Sequence, residues 1–399
     1  MGEQVTVITC APNFPQGIVY PGYRNRLLST ELIDGIRVIR VWTYINANQG
    51  FIKRIADYVS FAVTGFLAGL FENADLIITT SPQFFTNFAG WGLSRIKRKP
   101  WIFELRDLWP DSILTVGAMK RSKLIDTLER LELFFYRKAK RIVAVTDAFK
   151  RNLKRRGVDP EKIEVIPNGI DPERFYSRPK NQTLIEKLNL KNKFVVGYIG
   201  THGMAHSLDF IVAGLKYLDD PNIHFLFVGD GAQKNRIVSI AEKEQLKNVT
   251  FIDPVPKDMV PDFLGICDAA LVPLKKSATF KTVIPSKIFE AAAMQRPILL
   301  GVEGQAKEIV DTYGAGLCFE PENRVDFLSK VKTIKQNAAL YQSLQVGCEK
   351  LAGEYQRKKL ALKMLSIIYD TAEIRRNPET DKSLKQTRSS WFQKIIAQR

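Results

Sequence analysis

At 399 residues the chain exceeds one ordinary domain and is expected to hold two; with 45% hydrophobic and 25% charged residues it is globular rather than disordered. The net charge of +17 has three readings: a solvated basic face, nucleic-acid affinity, or attraction to an anionic membrane or lipid diphosphate. No recognisable nucleic-acid module accompanies the second reading, so no nucleic-acid partner is expected. Cys10, Cys267, Cys318 and Cys348 are dispersed, His202, His206 and His224 form no His-Glu-x-x-His helix, and no Asp-x-Asp triplet occurs. That pattern excludes the usual metal ligand sets and points to reduced thiols in the cytoplasm, with no metal or cofactor expected. The start Met1-Gly2-Glu3-Gln4 is not the basic head of a signal peptide. The uncharged, apolar run over residues 58–71 falls short of the ~20 residues of a membrane-spanning helix.

Short β-branched runs alternate with amphipathic helical stretches, the pattern of parallel α/β sheets. Strands are expected over residues 5–9, 36–43, 76–80, 101–104, 141–146 and 163–166, with helices over 52–71 and 122–139 among the connections. The turn-rich stretch Pro167-Asn168-Gly169-Ile170-Asp171-Pro172 reads as a linker. The alternation then restarts, with strands over 194–199, 224–228, 249–252, 269–273, 298–301 and 317–319 and a long helix over 352–373. Two doubly wound domains in tandem follow, with ligands at the C-terminal ends of strands, facing a cleft. The tail from Arg375 is basic, broken by Pro378 and ends in Trp391-Phe392-Gln393-Lys394-Ile395-Ile396, which reads as frayed or as a weak membrane contact.

The densest chemistry lies in Ile284-Pro285-Ser286-Lys287-Ile288-Phe289-Glu290. It reads as a loop entering a helix, with Pro285 at the helix start, where a missing N–H costs nothing. Free N–H groups there and the Lys287 charge suit a phosphate, and Glu290, one turn on, suits the vicinal hydroxyls of a ribose. Both groups belong to a nucleotide-sugar. The strand over 194–199 ends in Gly200-Thr201-His202-Gly203-Met204-Ala205-His206-Ser207, whose glycines would let the backbone approach a phosphate and whose Ser207 would cap the next helix. Val228-Gly229-Asp230-Gly231 is a second glycine turn, and Asp253-Pro254-Val255-Pro256 a loop able to hold a base edge through its backbone.

These pieces, with Leu271-Val272-Pro273-Leu274 and Gly314-Ala315-Gly316-Leu317, resemble glycosyltransferase family 4, of the GT-B fold. Phe103-Glu104-Leu105-Arg106-Asp107-Leu108-Trp109-Pro110-Asp111 is similar to a signature of the branch that builds O-antigen and capsular repeat units, and within it to transferases that add N-acetylfucosamine to a lipid-linked sugar. The resemblance implies a UDP-sugar donor, an undecaprenyl-diphosphate-linked saccharide acceptor, retaining transfer, and peripheral contact with the cytoplasmic face of the inner membrane. It implies an acceptor-side domain over 1–168, a nucleotide-sugar domain over 169–351, a helix over 352–374 packing back toward the first domain and a basic tail over 375–399. Lys287 would stabilise the leaving diphosphate and Glu290 would be the ribose carboxylate. Gly200, Thr201, His202, Gly203, His206, Gly229, Val255, Pro285 and Ser286 would line the donor.

The chain departs from the family pattern. Thr282 stands where the family has a glutamate eight residues before Glu290, and Thr201 and His206 stand where many members have an arginine and a lysine. A neutral histidine donates one hydrogen bond to a phosphate; Lys275, Lys276 and Lys281 are candidates to restore charge. The first strand, over 5–9, matches the family's second. The resemblance therefore implies a missing opening strand and glycine loop, through a truncated reading frame or a misassigned start, with ladder groups left unpaired between the lost strand's neighbours. On the acceptor side, Asp107 would orient or deprotonate an acceptor hydroxyl and Arg106 would hold its diphosphate, while Trp109 reads as packing. The loops Asn13-Phe14-Pro15 and Tyr20-Pro21-Gly22-Tyr23-Arg24 suit lipid or sugar contact, and the helix over 52–71 would line a polyprenyl groove or simply pack. Two other readings stand beside the transferase. A nucleotide-sugar epimerase of the GT-B fold would need more carboxylates and histidines, and an inactive nucleotide-binding fragment would bind without turnover.

Overall fold

The computed structural model describes residues 3–13, 17–46, 51–110 and 122–373. The tail from Arg375, Phe14-Pro15 and Asp111 lie outside them. The described chain divides into two compact units. One holds the residues up to 166 together with those from 362 onward; the other is Pro167–Ala361.

The first unit has two sheets. In one, β1 (Thr6–Thr9) runs parallel to β3 (Ile36–Val41), and β2 (Leu28–Ile33) is antiparallel to β3, in the order β1-β3-β2. β2 was not among the expected strands. Most of its side chains are exposed, so its apolar residues do not alternate against a core. Its signal is the turn Asp34-Gly35, where both residues take positive φ (50° and 79°), as a two-residue hairpin requires. The other sheet is parallel, β4-β5-β6-β7, built from Ile77–Thr80, Trp101–Leu105, Arg141–Ala144 and Ile163–Val165. Among the described residues no ladder joins β1 to β4.

β5 is buried on both faces, as a central parallel strand must be. Trp101, Phe103 and Leu105 pack with Phe135 and Tyr136 of the helix Lys123–Lys138, while Ile102 on the opposite face packs with Val143 and Ile367. In the same helix Glu132 is buried, bonded by the Tyr136 hydroxyl and by an Arg156 guanidinium nitrogen at 2.6 Å.

The second unit is one parallel sheet of β8 (Phe194–Ile199), β9 (Ile223–Val228), β10 (Val249–Ile252), β11 (Ala269–Pro273), β12 (Ile298–Gly301) and β13 (Gly316–Cys318). The order is β10-β9-β8-β11-β12-β13. The winding reverses at β8, whose neighbours are β9 and β11, and such a reversal opens a crevice at the strands' C-terminal ends.

The single helix expected over 352–373 is two helices, Ala338–Glu354 and Arg357–Ala372. The break serves the turn-rich linker. Ile170 N–H donates to Tyr355 O (2.8 Å) and Arg357 N–H to Ile170 O (2.8 Å), while a Cβ on Gly169 would lie 2.5 Å from Tyr355 O. Apolar spacing runs through the break, so periodicity does not reveal it.

Candidate functional site

The site in the second unit is built where β8 ends. Gly200 takes φ +137° and its N–H donates to Val228 O (2.8 Å). The turn after β9 lies directly against it. A Cβ on Gly229 (φ +139°) would sit 2.0 Å from Gly200 O, and one on Gly231 (φ +153°) 2.7 Å from His202 O. His202 N–H closes the contact on Asp230 O (2.8 Å). Gly229 is therefore glycine because another backbone occupies its side-chain space. Gly229→Ala is expected to cost about 3 kcal/mol or more, from backbone strain plus a forced shift of the Gly200 turn, read as a lowered midpoint of the second unit's urea transition.

Gly200 makes room for a different group. A Cβ there would lie 2.7 Å from Lys287 Cε and 2.9 Å from Nζ. Lys287 opens the helix Lys287–Ala293, which Ile288 and Phe289 anchor in the core, leaving Lys287 half-buried. Its Nζ sits 4.4 Å from the centre of the Tyr198 ring and donates to the Tyr198 hydroxyl (3.2 Å), which itself donates to Thr201 O (2.6 Å). The tyrosine thus holds the ammonium by a cation–π contact and a lone pair. Burial pushes the Lys287 amine down to about 8, against the pull of Glu290. Burial likewise raises the Glu290 carboxyl, opposed by Lys287, Arg357 and Arg174. Tyr198, Arg174 and Arg357 were not singled out from the sequence, because none stands in a motif with Lys287 or Glu290.

His202 is fully buried, 5.7 Å ring to ring from Tyr198, and neither ring nitrogen has a hydrogen-bond partner among the described residues. Burial first, then the Lys234 and Lys287 charges, bring it down to about 4. Burial and Lys287 do the same to His206, also to about 4. Both histidines are therefore neutral near pH 7, and Lys287 supplies the positive charge between them.

Several expectations need correction. Pro285 is not the first helical residue: the N-cap is Ser286, which makes no side-chain cap bond, and the helix begins at Lys287. The N–H groups of Ile288, Phe289 and Glu290 are bonded to Pro285 O and Ser286 O, which leaves those of Ser286 and Lys287 as the ones the expectation concerns. Ser207 does not cap the next helix; it takes φ 49° and its hydroxyl bonds Glu322 Oε1 (3.2 Å). Gly203 has φ −90°, and a Cβ there would make ordinary contacts with His206 Cδ2 (3.5 Å) and Thr201 Cγ2 (3.6 Å). Lys276 pairs with Glu320 (2.5 Å) and Lys281 with Glu303 (3.1 Å), both lysines half-exposed. Thr282 ends a short 3-10 turn and donates to Thr279 O (2.7 Å). Val255 packs half-buried against the cluster under β8 and β9.

In the first unit Arg106 and Asp107 follow β5. Both N–H groups donate to the buried Ser81 hydroxyl (2.8 and 3.2 Å), which fixes the turn. Asp107 is half-buried, and Arg106 reaches Glu104 (3.3 Å). Trp109 stacks on Phe84 at 4.5 Å, as packing. Ser81 was not singled out from the sequence; nothing in its local pattern marks a hydroxyl that serves a turn 25 residues later. Among the described residues no group of His, Cys, Asp and Glu side chains is placed to hold a metal, and no helix is long and apolar enough to cross a membrane.

Residues 1–169 match the glycosyl transferase 4-like domain, and residues 180–346 match glycosyl transferases group 1. The first match ends inside the turn-rich linker that follows Ile166, and the second begins beyond it. WcaI of Escherichia coli K12, named as a glycosyl transferase of colanic acid biosynthesis, is 24% identical over 335 residues, 81% of this chain and 82% of that protein. An Escherichia coli UDP-Gal:alpha-D-GlcNAc-diphosphoundecaprenol alpha-1,3-galactosyltransferase is 32% identical over 125 residues, 30% of this chain and 32% of that one. The crystal structure of Anabaena HepE in complex with UDP and glucose aligns with a TM-score of 0.67 at 18% identity, over 84% of this chain and 86% of that one. The fold is GT-B, and the Lys287–Glu290 pair belongs to the group 1 domain.

Proposed function

We propose that this glycosyltransferase moves a sugar, with retention, from a UDP-sugar to a lipid-diphosphate-linked saccharide during assembly of a bacterial surface polysaccharide. The observation that carries the reading is Lys287, held by Tyr198 over Gly200 at the end of β8, with Glu290 one turn further along the same helix. This is a positive charge at a sheet's switch point, beside a carboxylate that accepts hydrogen bonds from a diol. The names of the relatives support the rest: colanic acid synthesis in one, a UDP-sugar and a diphosphoundecaprenol acceptor in the other.

In the proposed reaction the bond from the anomeric carbon to the donor phosphate oxygen breaks and the bond to the acceptor oxygen forms on the same face. The departing diphosphate takes the acceptor's proton. Lys287 stabilises the charge that grows on that diphosphate, and Glu290 holds the ribose. Asp107 orients the acceptor hydroxyl. The acceptor's lipid places the protein peripherally on the cytoplasmic face of the inner membrane, where its net charge of +17 favours anionic lipid. UDP-N-acetylfucosamine is the first donor to try.

The test is purified protein with a panel of UDP-sugars and a lipid-linked saccharide. UDP release that requires the acceptor is expected; an altered free nucleotide-sugar would make it an epimerase, and binding without turnover a dead fragment. Glu290→Ala is expected to raise the donor KM about tenfold or more. An unchanged donor KM and turnover would remove Glu290 from the site.

A further inference from the structure

We infer that the first unit binds the diphosphate of its acceptor in a basin beside the β2–β3 hairpin, through Arg24, Arg26 and Arg40. This rests on the lipid-linked acceptor proposed above and names where its anion is held.

The basin has a volume of about 520 Å³, within the range of small-ligand sites, and Tyr23, Ser29 and Thr30 complete much of its wall. It lies at the C-terminal ends of the parallel pair β1 and β3, where Thr9 stands opposite Arg40 in the ladder. Strand C-terminal ends are where open parallel sheets bind ligands. Ser29 faces Arg40 across the hairpin.

One of its cations is preorganised, and the backbone of the other two is fixed. Arg40 is tethered three ways: to Glu31, to Cys10 O (2.8 Å), and by its guanidinium over the Tyr23 ring (4.8 Å). Arg24 and Arg26 flank Asn25 in a tight turn closed by Arg26 N–H on Arg24 O (3.0 Å). The Asn25 amide pins that turn to the chain beyond β3, donating to Thr43 O (2.8 Å) and accepting from Thr43 N–H (3.2 Å). Both arginines are exposed, so their charge is free to meet a ligand.

Charge selects the ligand class. Three guanidiniums against the Glu31 carboxylate leave a surplus of two positive charges, matching the two negative charges of a diphosphate diester. Arg106 lacks that surplus, since its guanidinium reaches Glu104. Next to the arginines, Leu27 and Leu28 are 83% and 60% exposed, an apolar rim suited to an isoprenoid chain leaving the diphosphate. An anion joined to a hydrocarbon is the chemistry the two surfaces share.

The test uses the full chain and the double variant Arg24→Gln/Arg26→Gln, whose exposed sites spare the core. Inorganic diphosphate binding, measured by calorimetry at low salt with the Lys287 site filled by saturating UDP, is expected to weaken about tenfold or more in the variant. In detergent micelles the acceptor KM is expected to rise by a similar factor, with the donor KM unchanged. Unchanged diphosphate binding, or an acceptor KM that does not move, overturns the assignment. So does a variant that loses only its affinity for phosphatidylglycerol vesicles, which would make the basin a headgroup contact. If the wild-type chain turns over no lipid-linked acceptor, the proposed function falls, and the calorimetry still decides whether the basin binds diphosphate.

Discussion

Lys287→Met is expected to lower turnover about 10²–10³-fold, because it removes a preorganised cation from where the leaving diphosphate gains charge. Methionine keeps much of the length and apolar surface of the side chain, so the helix anchored by Ile288 and Phe289 should stay in place. The loss should fall on turnover more than on donor KM, since the charge matters most as the phosphate bond breaks. The same residue predicts a pH limb. Burial holds the free amine at about 8 rather than the ordinary lysine value, so the ammonium is present below that pH and is lost as pH rises through it. Donor-dependent kcat/KM should therefore decline above about pH 8, and the decline should vanish in Lys287→Met. A bound diphosphate raises the amine's proton affinity, so UDP binding near pH 8 to 9 should take up a proton, visible as a dependence of calorimetric heat on buffer ionisation. A wild-type profile flat to pH 10 would remove Lys287's charge from the mechanism.

Arg156→Met is expected to destabilise the first unit by about 3–5 kcal/mol, the cost of breaking a buried ion pair by removing one partner. Glu132 is 2% exposed, and Arg156 supplies the cation at 2.6 Å. The Tyr136 hydroxyl also bonds Glu132, and burial, followed by the Glu132 charge, pushes that phenol well above its usual range, so Tyr136 stays neutral and cannot replace the arginine. The double variant Glu132→Gln/Arg156→Met should recover most of the loss, since a neutral amide needs no counter-ion. Urea unfolding followed by tryptophan fluorescence checks this, as Trp101 lies in the cluster that contains Tyr136. A single variant within 1 kcal/mol of wild type would mean that Arg156 does not carry the stability of the buried Glu132.

The second unit was largely legible from the sequence, because most of its strands are buried runs bounded by turn residues. β8, β10, β11 and β12 span the expected residues, and β9 and β13 begin one residue earlier. Glycine at Gly200, Gly229 and Gly231 could be seen, but not its reason. A glycine that admits a ligand and one that admits a neighbouring backbone look alike in one dimension. Tyr198 reads as an ordinary strand residue until the fold sets it under Lys287, 89 positions away. The first unit was less legible. β2 lies on a sheet edge with a solvated face, where apolar alternation carries no information, and only the Asp34-Gly35 turn betrays it. The break at Tyr355–Gln356 exists to pair with Ile170, a contact that local spacing cannot encode.

The helix Arg357–Ala372 has a consequence for synthesis. Its first residues belong to the second unit and those from Leu362 to the first, where Ile367 covers Ile102 and Val143 and the Lys363 amine bonds Val165 O (2.7 Å). Although residues 3 to 166 leave the ribosome before this helix, the apolar back of β5 and β6 stays uncovered until the helix has been made, about 200 residues later. The unit made earlier is the one that must wait, and a segment ending at Ile166 would carry a wet sheet face.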